Sequence, residues 1–228
     1  MGKREKIAKK YSYTCNKDPE TKYPGPKWKK IRSKYINVEK FDFKSRTRNL
    51  LDVKNILDEM EIPFFLTHGA LLGAYRDNDF IKWDDDVELD IFEEILLPNY
   101  DMLCKQLIRC GFILRGRKRK FKKQKGEKFN IYRDRERISI RGIYLDPNYE
   151  NNKYRLTNVF QYLRKFHENP DTIRFKNAMF NAPGPIEEFL SYRYGKNWNI
   201  PTDIYGTKGK LKKTNLDSYQ RGIRRTNK

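Results

Sequence analysis

The chain has 228 residues, a formal net charge of +20, and 37% hydrophobic against 35% charged residues. This length fits one domain with a proper core, and no apolar run approaches the roughly 18 residues that a membrane-spanning helix needs. Three cysteines without a CxxC pair and only two histidines argue against a structural zinc site. No apolar stretch follows the basic N-terminus, so we expect no secretory signal and a cytoplasmic protein.

Positive charge is concentrated in three segments. Residues 1–40 carry a net charge of +9, residues 115–137 another +9 and residues 205–228 a further +7, while the rest of the chain sums to −5. We therefore predict a basic N-terminal arm (1–40), a folded domain (41–204) and a basic C-terminal tail (205–228). Such charge serves either solubility alone or the attraction of a polyanion. The lysine-, asparagine-, isoleucine- and tyrosine-rich usage suggests an AT-rich genome, such as that of a large DNA virus.

The predicted elements follow one another without a regular βαβ repeat. We predict, in order, a helix over 46–61 capped by Ser45, a strand over 64–67, a short helix after a turn at 68–69, and a strand over 87–92. After Pro98 we predict a helix over 100–110, then a small antiparallel sheet from segments 112–119, 129–133 and 138–145. The last predicted elements are a helix over 154–168, a strand over 173–181 and a helix over 185–193 that Gly195 ends. This mixture predicts an α+β fold.

Four acidic residues recur at every second position in the segment WDDDVELD: Asp84, Asp86, Glu88 and Asp90. In an extended strand they would share one face, with neighbours about 7 Å apart, while the apolar residues of 87–91 would face the core. Carboxylates placed so close repel one another unless a cation lies between them. Hard oxygen ligands of this kind select Mg²⁺, Mn²⁺ or Ca²⁺. We therefore predict a divalent-metal site, with Asp85 pointing away from it.

A glycine turn lies just upstream of these acids. Gly69, between a strand and a helix, would let backbone amides at the positive end of the helix approach a phosphate. A divalent ion held by Asp86 and Glu88 would bind the same phosphate from the other side. Arg76 and Lys82 would add cationic contacts. This arrangement is typical of phosphoryl or nucleotidyl transfer.

The same residues carry a family resemblance. The run THGALLGAYRDNDFIKWDDDVELDI (67–91) resembles the signature of the LicD/fukutin family, a branch of the nucleotidyltransferase-fold superfamily, and FNAPGPIEEFLSYRYGKNWNIP (180–201) is similar to its closing motif. The resemblance implies a nucleotidyltransferase-like mixed sheet flanked by helices. It also implies a Mg²⁺- or Mn²⁺-dependent enzyme that moves a phospho-alcohol, such as phosphocholine or ribitol phosphate, from a CDP-activated donor to a glycan hydroxyl.

The resemblance also implies residue roles. The implied catalytic residues are Asp84, Asp86 and Glu88, of which Asp86 and Glu88 would bind the metal ion. The residues implied or predicted to bind substrate are His68, Gly69, Gly73, Arg76 and Lys82. The resemblance also implies a further carboxylate on a later strand. Arg141 occupies the position where that carboxylate is expected first. We therefore consider Asp146 as the substitute metal ligand.

Other interpretations stay open at this point. Asp90 is either a fourth carboxylate of the site or, as we favour, a partner for the basic segment. The basic arms favour a template-independent nucleotidyltransferase acting on nucleic acid, whereas the HGALLG form of the turn disfavours it. If Arg141 replaces the missing carboxylate, the chain could be an inactive member that binds polyanions through its arms.

Overall fold

The computed structural model describes residues 41–115, 126, 128–146, 154–156 and 161–201. The predicted arms lie outside these ranges. The described helices are α1 (Phe43–Glu59), α2 (His68–Arg76), α3 (Glu93–Arg109), α4 (Lys165–Glu168) and α5 (Ile186–Tyr194). The described strands are β1 (Phe64–Thr67), β2 (Val87–Phe92), β3 (Ile113–Arg115), β4 (Lys128–Arg133), β5 (Glu136–Leu145), β6 (Tyr154–Leu156), β7 (Gln161–Leu163), β8 (Asp171–Phe175) and β9 (Ala178–Ala182). None of the described helices has the length and apolar character needed to cross a membrane.

The nine described strands form one mixed sheet. Its main order is β3–β4–β5–β2–β1–β9–β8, and β6 and β7 extend it from β5. Strand β2 runs parallel to β5 and antiparallel to β1, and β1 runs parallel to β9. Helices and strands are combined without a regular βαβ alternation. The predicted α+β class, with a mixed sheet flanked by helices, is therefore confirmed.

One face of the sheet forms the main core. Val87, Leu89 and Ile91 of β2 are completely buried, as predicted, and β5 places Ile138 and Ile140 beside the first two of them. Helices α1 and α3 pack against this part of the sheet. Burying each of these aliphatic side chains contributes about 1.5–3 kcal/mol. The alternating residues Glu88 and Asp90 consequently lie on the opposite face.

Helix α1 begins earlier than predicted, and Ser45 is not its cap. Asp42 is the N-cap, and its Oδ1 accepts hydrogen bonds from the backbone N–H groups of Lys44 and Ser45, both at 3.1 Å. Aspartate caps a helix as well as serine does. Tertiary contacts favour the earlier start of the helix, because it lets the completely buried Arg46 form an ion pair with Glu136 of β5, with Nε 2.6 Å from Oε2.

Helix α3 also begins earlier than predicted, and Pro98 lies inside it. Proline removes one backbone hydrogen bond from a helix interior. The helix continues through it because its buried stripe of Leu96, Leu103 and Leu107 packs on the sheet. Glu93 in the first turn also suits the positive end of the helix dipole.

Two predictions for the C-terminal part are wrong. Residues 154–168 are not one helix: the described part contains β6, β7 and the single-turn α4. The strand predicted over 173–181 is a hairpin that turns at Lys176 and Asn177, whose φ values are 48° and 64°. Two successive residues with positive φ make the tight turn that suits the twist of a hairpin. The last helix is confirmed as α5, and Gly195 ends it with a φ of 90°.

Candidate active site

The predicted carboxylates Asp84, Asp86 and Glu88 and the turn at Gly69 lie near the junction of three strands, on the face opposite the main core. Strand β1 runs directly into α2, β2 lies beside β1, and β5 lies beside β2 on its other edge. Strand β2 begins only at Val87, so Asp84 and Asp86 belong to the preceding loop rather than to the predicted strand. In that loop the backbone N–H of Asp84 donates to the carbonyl of Ile81 at 3.0 Å, which turns the chain before β2.

Two carboxylates converge on Gly69, at the start of α2. The backbone N–H of Gly69 donates to Oε2 of Glu88 at 3.0 Å. A Cβ atom added to Gly69 would lie 1.9 Å from Oδ2 of Asp84 and 3.4 Å from Oε2 of Glu88. The glycine therefore leaves the space that the Asp84 carboxylate fills. The first amide of this turn faces a protein carboxylate, where we had predicted a bound phosphate.

Asp84, Asp85 and Asp86 form a tight acidic group. One carboxylate oxygen from each lies within 4.8 Å of the others, a spacing that could accommodate a metal ion. The prediction that Asp85 points away from the site is therefore wrong. Because the three residues lie in a loop, they do not alternate between two faces as strand residues would.

Burial, reinforced by neighbouring negative charge, raises the pKa values of Asp84 and Glu88. Burial raises the pKa of Asp84 to about 7, and the carboxylates of Asp86 and Asp85 act in the same direction. Burial also raises the pKa of Glu88 well above its ordinary value, again with contributions from Asp86 and Asp84. Clusters of carboxylates whose pKa values are raised by one another are typical of functional sites.

Strand β5 contributes two residues that the sequence interpretation missed. The Oγ of Ser139 donates to Oδ2 of Asp86 at 2.7 Å. The guanidinium of Arg137 lies 2.7 Å from Oδ1 of Asp85 and 3.0 Å from Oδ2 of Asp86. The alternation of polar residues with Ile138 and Ile140 was a usable signal, because it shows which residues of β5 share a face. The partner strand was not evident from the sequence.

The prediction of Asp146 as a metal ligand is wrong. Glu88 pairs with Ser139, whereas Asp146 follows the end of β5, beyond the pairing of Phe92 with Ile143. At roughly 3.3 Å per residue, Asp146 lies about 23 Å along the strand from Ser139. Among the described residues of β5, the position beside Glu88 is therefore occupied by a serine rather than by a third carboxylate.

Asp90 pairs with Arg141 of β5 rather than with a basic residue in the described part of segment 115–137. The two residues face each other across β2 and β5, with Oδ1 of Asp90 3.7 Å from Nε of Arg141. Both side chains are buried. Burial raises the pKa of Asp90 to about 6, and Arg141 opposes that increase. Arg141 therefore acts as a counter-ion to Asp90, two residues along β5 from Ser139 and on the same face.

His68 is buried beneath the acidic group. Its Nε2 lies 2.7 Å from Nη1 of Arg141 and 2.6 Å from the hydroxyl of Tyr162, and Nε of Arg193 lies 3.4 Å from its Nδ1. Burial, followed by the charges of Arg141 and Arg193, lowers its pKa well below the ordinary value, so the ring is neutral. The prediction that His68 binds substrate disagrees with this burial. The ring instead fixes the start of α2, where its own φ is 51°.

Gly73 and Arg76 make contacts that stabilise the fold around α2. A Cβ on Gly73 would lie 2.5 Å from the carbonyl oxygen of Asp79 and 3.0 Å from the backbone nitrogen of Ile81, so only glycine leaves room for the loop after α2. Arg76 at the C-terminal end of α2 makes two hydrogen bonds to Asp77, at 2.8 and 2.6 Å. About 10 Å of helix separate it from Gly69. The roles of these two residues in substrate binding stay predictions.

The acidic loop is anchored by α1. Arg46 donates from Nη1 to the backbone carbonyl of Asp84 at 2.8 Å and from Nε to Glu136. Lys82, predicted to bind phosphate, is exposed two residues before Asp84, and that role stays a prediction. Trp83 packs against the core between them. The loop therefore holds its acids on a fixed backbone.

Comparisons with known proteins agree with this fold. The family model described as LicD/FKTN/FKRP, nucleotidyltransferase domain, matches residues 61–184, more than half of the chain. A mouse (Mus musculus) protein named ribitol-5-phosphate transferase FKTN is 24% identical over 204 residues, which cover 83% of this chain and 42% of that protein. The chain thus spans less than half the length of this curated relative.

Solved structures give more distant likenesses. The lincosamide antibiotic adenylyltransferase LnuA, bound to lincomycin, is 9% identical with a TM-score of 0.45, covering 76% of this chain and 94% of that one. The antibiotic-resistance factor ANT(2'')-Ia is 11% identical with a TM-score of 0.44, covering 79% of this chain and 83% of that one.

Proposed function

Because the chain belongs to the LicD/FKTN/FKRP nucleotidyltransferase-domain family, a family of transferases, we propose that it transfers a phospho-alcohol or nucleotidyl group from a CDP-activated donor to a glycan hydroxyl. The observation that supports this most directly is the convergence of Asp84 and Glu88 on Gly69, beside Asp86. Acidic side chains next to a helix N-terminus provide a place for both a cation and the phosphates that it binds.

The donor set fits a divalent ion. Asp84, Asp86 and Glu88 supply hard oxygen atoms. Burial first, and the neighbouring carboxylates second, raise the pKa values of Asp84 and Glu88, and a bound cation would relieve both effects. We propose that these three residues hold Mg²⁺ or Mn²⁺. When bound, such an ion would neutralise charge that develops on the phosphates. Ser139 would keep one oxygen of Asp86 in place through its 2.7 Å hydrogen bond.

The proposed reaction balances without a covalent enzyme intermediate. The acceptor hydroxyl oxygen forms a bond to the phosphorus that carries the alcohol, and the bond from that phosphorus to the CMP oxygen breaks. CMP leaves, and the hydroxyl proton is released. In this step Lys82, exposed beside the acidic group, would orient the donor phosphates, and such positioning accounts for much of the catalysis of phosphoryl transfer.

One observation favours a second candidate, a member of the fold that binds a nucleotide donor without transferring it. In the described part of β5, Ser139 stands beside Glu88, and Arg137 partly neutralises Asp86. The alternatives that involve nucleic acid or another polyanion depend mainly on the arms at 1–40 and 205–228, outside the described residues. Those alternatives stay predictions.

The test is turnover of CDP-ribitol and CDP-choline with a glycan acceptor. We expect release of CMP that depends on Mg²⁺ or Mn²⁺, and we expect Asp86→Asn to abolish it. Asp58→Asn is the matched control, because Asp58 is a half-exposed carboxylate in the last turns of α1 whose ion pair, within the described residues, is with Lys54. Donor binding without CMP release would support the second candidate. Equal activity of Asp86→Asn and the wild type would refute the site assignment.

A further inference from the structure

Arg137 is the basic side chain in direct contact with the acidic group in the described part of the chain, and its contacts are asymmetric. One nitrogen, Nη2, serves both acids: it lies 2.7 Å from Asp85 and 3.0 Å from Asp86. The Asp85 side chain is 56% exposed, so water competes for that contact. Asp86, which is buried, is therefore the firmer partner.

One hydrogen-bond donor of the Arg137 guanidinium also lacks a partner among the described residues. Its Nε is shielded from solvent and has no hydrogen-bond partner among the described residues. The Asp86 oxygen that it contacts already accepts a hydrogen bond from Ser139. Arginine can offer two parallel N–H groups to a carboxylate or a phosphate. Tyr132 of β4 also hydrogen-bonds the Arg137 side chain. No such two-nitrogen contact with a carboxylate is present among the described residues, so Nε remains a donor for another anion.

An ion bound at Asp86 would change the balance of charge around Arg137. The arginine and a divalent cation would both need the same carboxylate and would repel each other. We propose that Arg137 exchanges partners: without an ion it neutralises Asp86, and with an ion bound it turns to a phosphate of the donor. This inference rests on the proposed function and adds a donor-binding residue and a reason why ion and donor bind together.

The exchange predicts opposite effects on two binding equilibria. Removing the positive charge should strengthen Mn²⁺ binding in the absence of nucleotide. For a single and a double charge about 5 Å apart in water, Coulomb's law gives a change of about tenfold. The same substitution should weaken binding of CDP in saturating Mn²⁺ by about tenfold, because a charge-assisted contact to phosphate is lost. A merely structural arginine would not produce effects of opposite sign.

The experiment measures Mn²⁺ and CDP affinities of the full chain by titration calorimetry. Arg137→Gln is compared with Arg174→Gln, which removes the same charge from an exposed position on β8. Arg137→Lys keeps the positive charge but lacks the planar guanidinium and its two parallel N–H groups. It should bind Mn²⁺ as the wild type does and bind CDP with intermediate affinity, and it serves if Arg137→Gln does not fold.

The outcomes separate this inference from the proposed function. Tighter Mn²⁺ and weaker CDP binding by Arg137→Gln, with Arg174→Gln unchanged, would support the exchange. Weaker or unchanged Mn²⁺ binding by Arg137→Gln would overturn it and leave the metal site intact. A wild-type protein that does not bind Mn²⁺ would refute the proposed metal-dependent transfer and the exchange with it.

Discussion

Two glycines on the same helix should respond differently to the same substitution. In Gly69→Ala, the new methyl group would lie 1.9 Å from Oδ2 of Asp84, at the end of a side chain that can rotate away. In Gly73→Ala, it would lie 2.5 Å from the backbone carbonyl of Asp79, which cannot move without the loop. The first change should affect the acidic site, and the second should affect folding.

The sizes of both effects can be worked from these contacts. Alanine within a helix gains about 0.5–1 kcal/mol over glycine, so Gly69→Ala should keep the free energy of unfolding within about 1 kcal/mol of the wild type. Displacing one carboxylate charge by a few ångströms from a divalent ion should weaken ion binding about tenfold or more. Gly73→Ala overpacks a fixed backbone and should lower the free energy of unfolding by about 1–3 kcal/mol.

For both variants, urea denaturation measures the free energy of unfolding and titration measures the affinity for Mn²⁺. We expect Gly69→Ala to fold with near wild-type stability and to bind Mn²⁺ weakly. Gly73→Ala should lose stability and, while folded, retain its Mn²⁺ affinity. The reasoning is refuted if Gly69→Ala binds Mn²⁺ like the wild type, or if it loses as much stability as Gly73→Ala.

Three further predictions concern charge. Glu136→Gln should lower the free energy of unfolding by about 3 kcal/mol in urea denaturation, because it leaves the buried Arg46 without its carboxylate; a loss below about 1 kcal/mol would contradict this. Mn²⁺ affinity should rise with pH through about 7, because Asp84 and Glu88 must both lose their protons to bind the ion; Asp84→Asn should make that calorimetric profile less steep. The folded protein holds His68 neutral, whereas the unfolded chain binds a proton at this residue below the ordinary histidine pKa of 6.5. As the pH falls below 6.5, the wild type should therefore lose free energy of unfolding relative to His68→Gln, by up to about 1.4 kcal/mol per pH unit. Parallel stability–pH curves of the two proteins would contradict the last prediction.

Several features of the fold could be predicted because they depend on local sequence. The alternation of apolar residues along β2 indicated its core face, and the glycine after α5 indicated where that helix ends. The predictions that were wrong also relied on local patterns. Pro98 was interpreted as a helix start because proline disfavours helix interiors, but burial of the α3 stripe outweighs that cost. The segment 154–168 has a pattern that fits a helix, yet sheet pairing decides its structure.

The sequence by itself determined the acidic motif, the glycine at the strand-to-helix turn and the α+β class, since each depends on neighbouring residues and their backbone preferences. The tertiary structure alone decided which side chains of β5 meet the acids. Ser139 and Arg137 reach Asp86 because β2 pairs in parallel with β5, in a register that places Glu88 beside Ser139. That register joins strands far apart in the chain, and it is fixed by the packing of Val87 and Leu89 with Ile138 and Ile140. The same long-range pairing makes His68 a buried structural residue, although its place beside Gly69 suggested contact with a ligand.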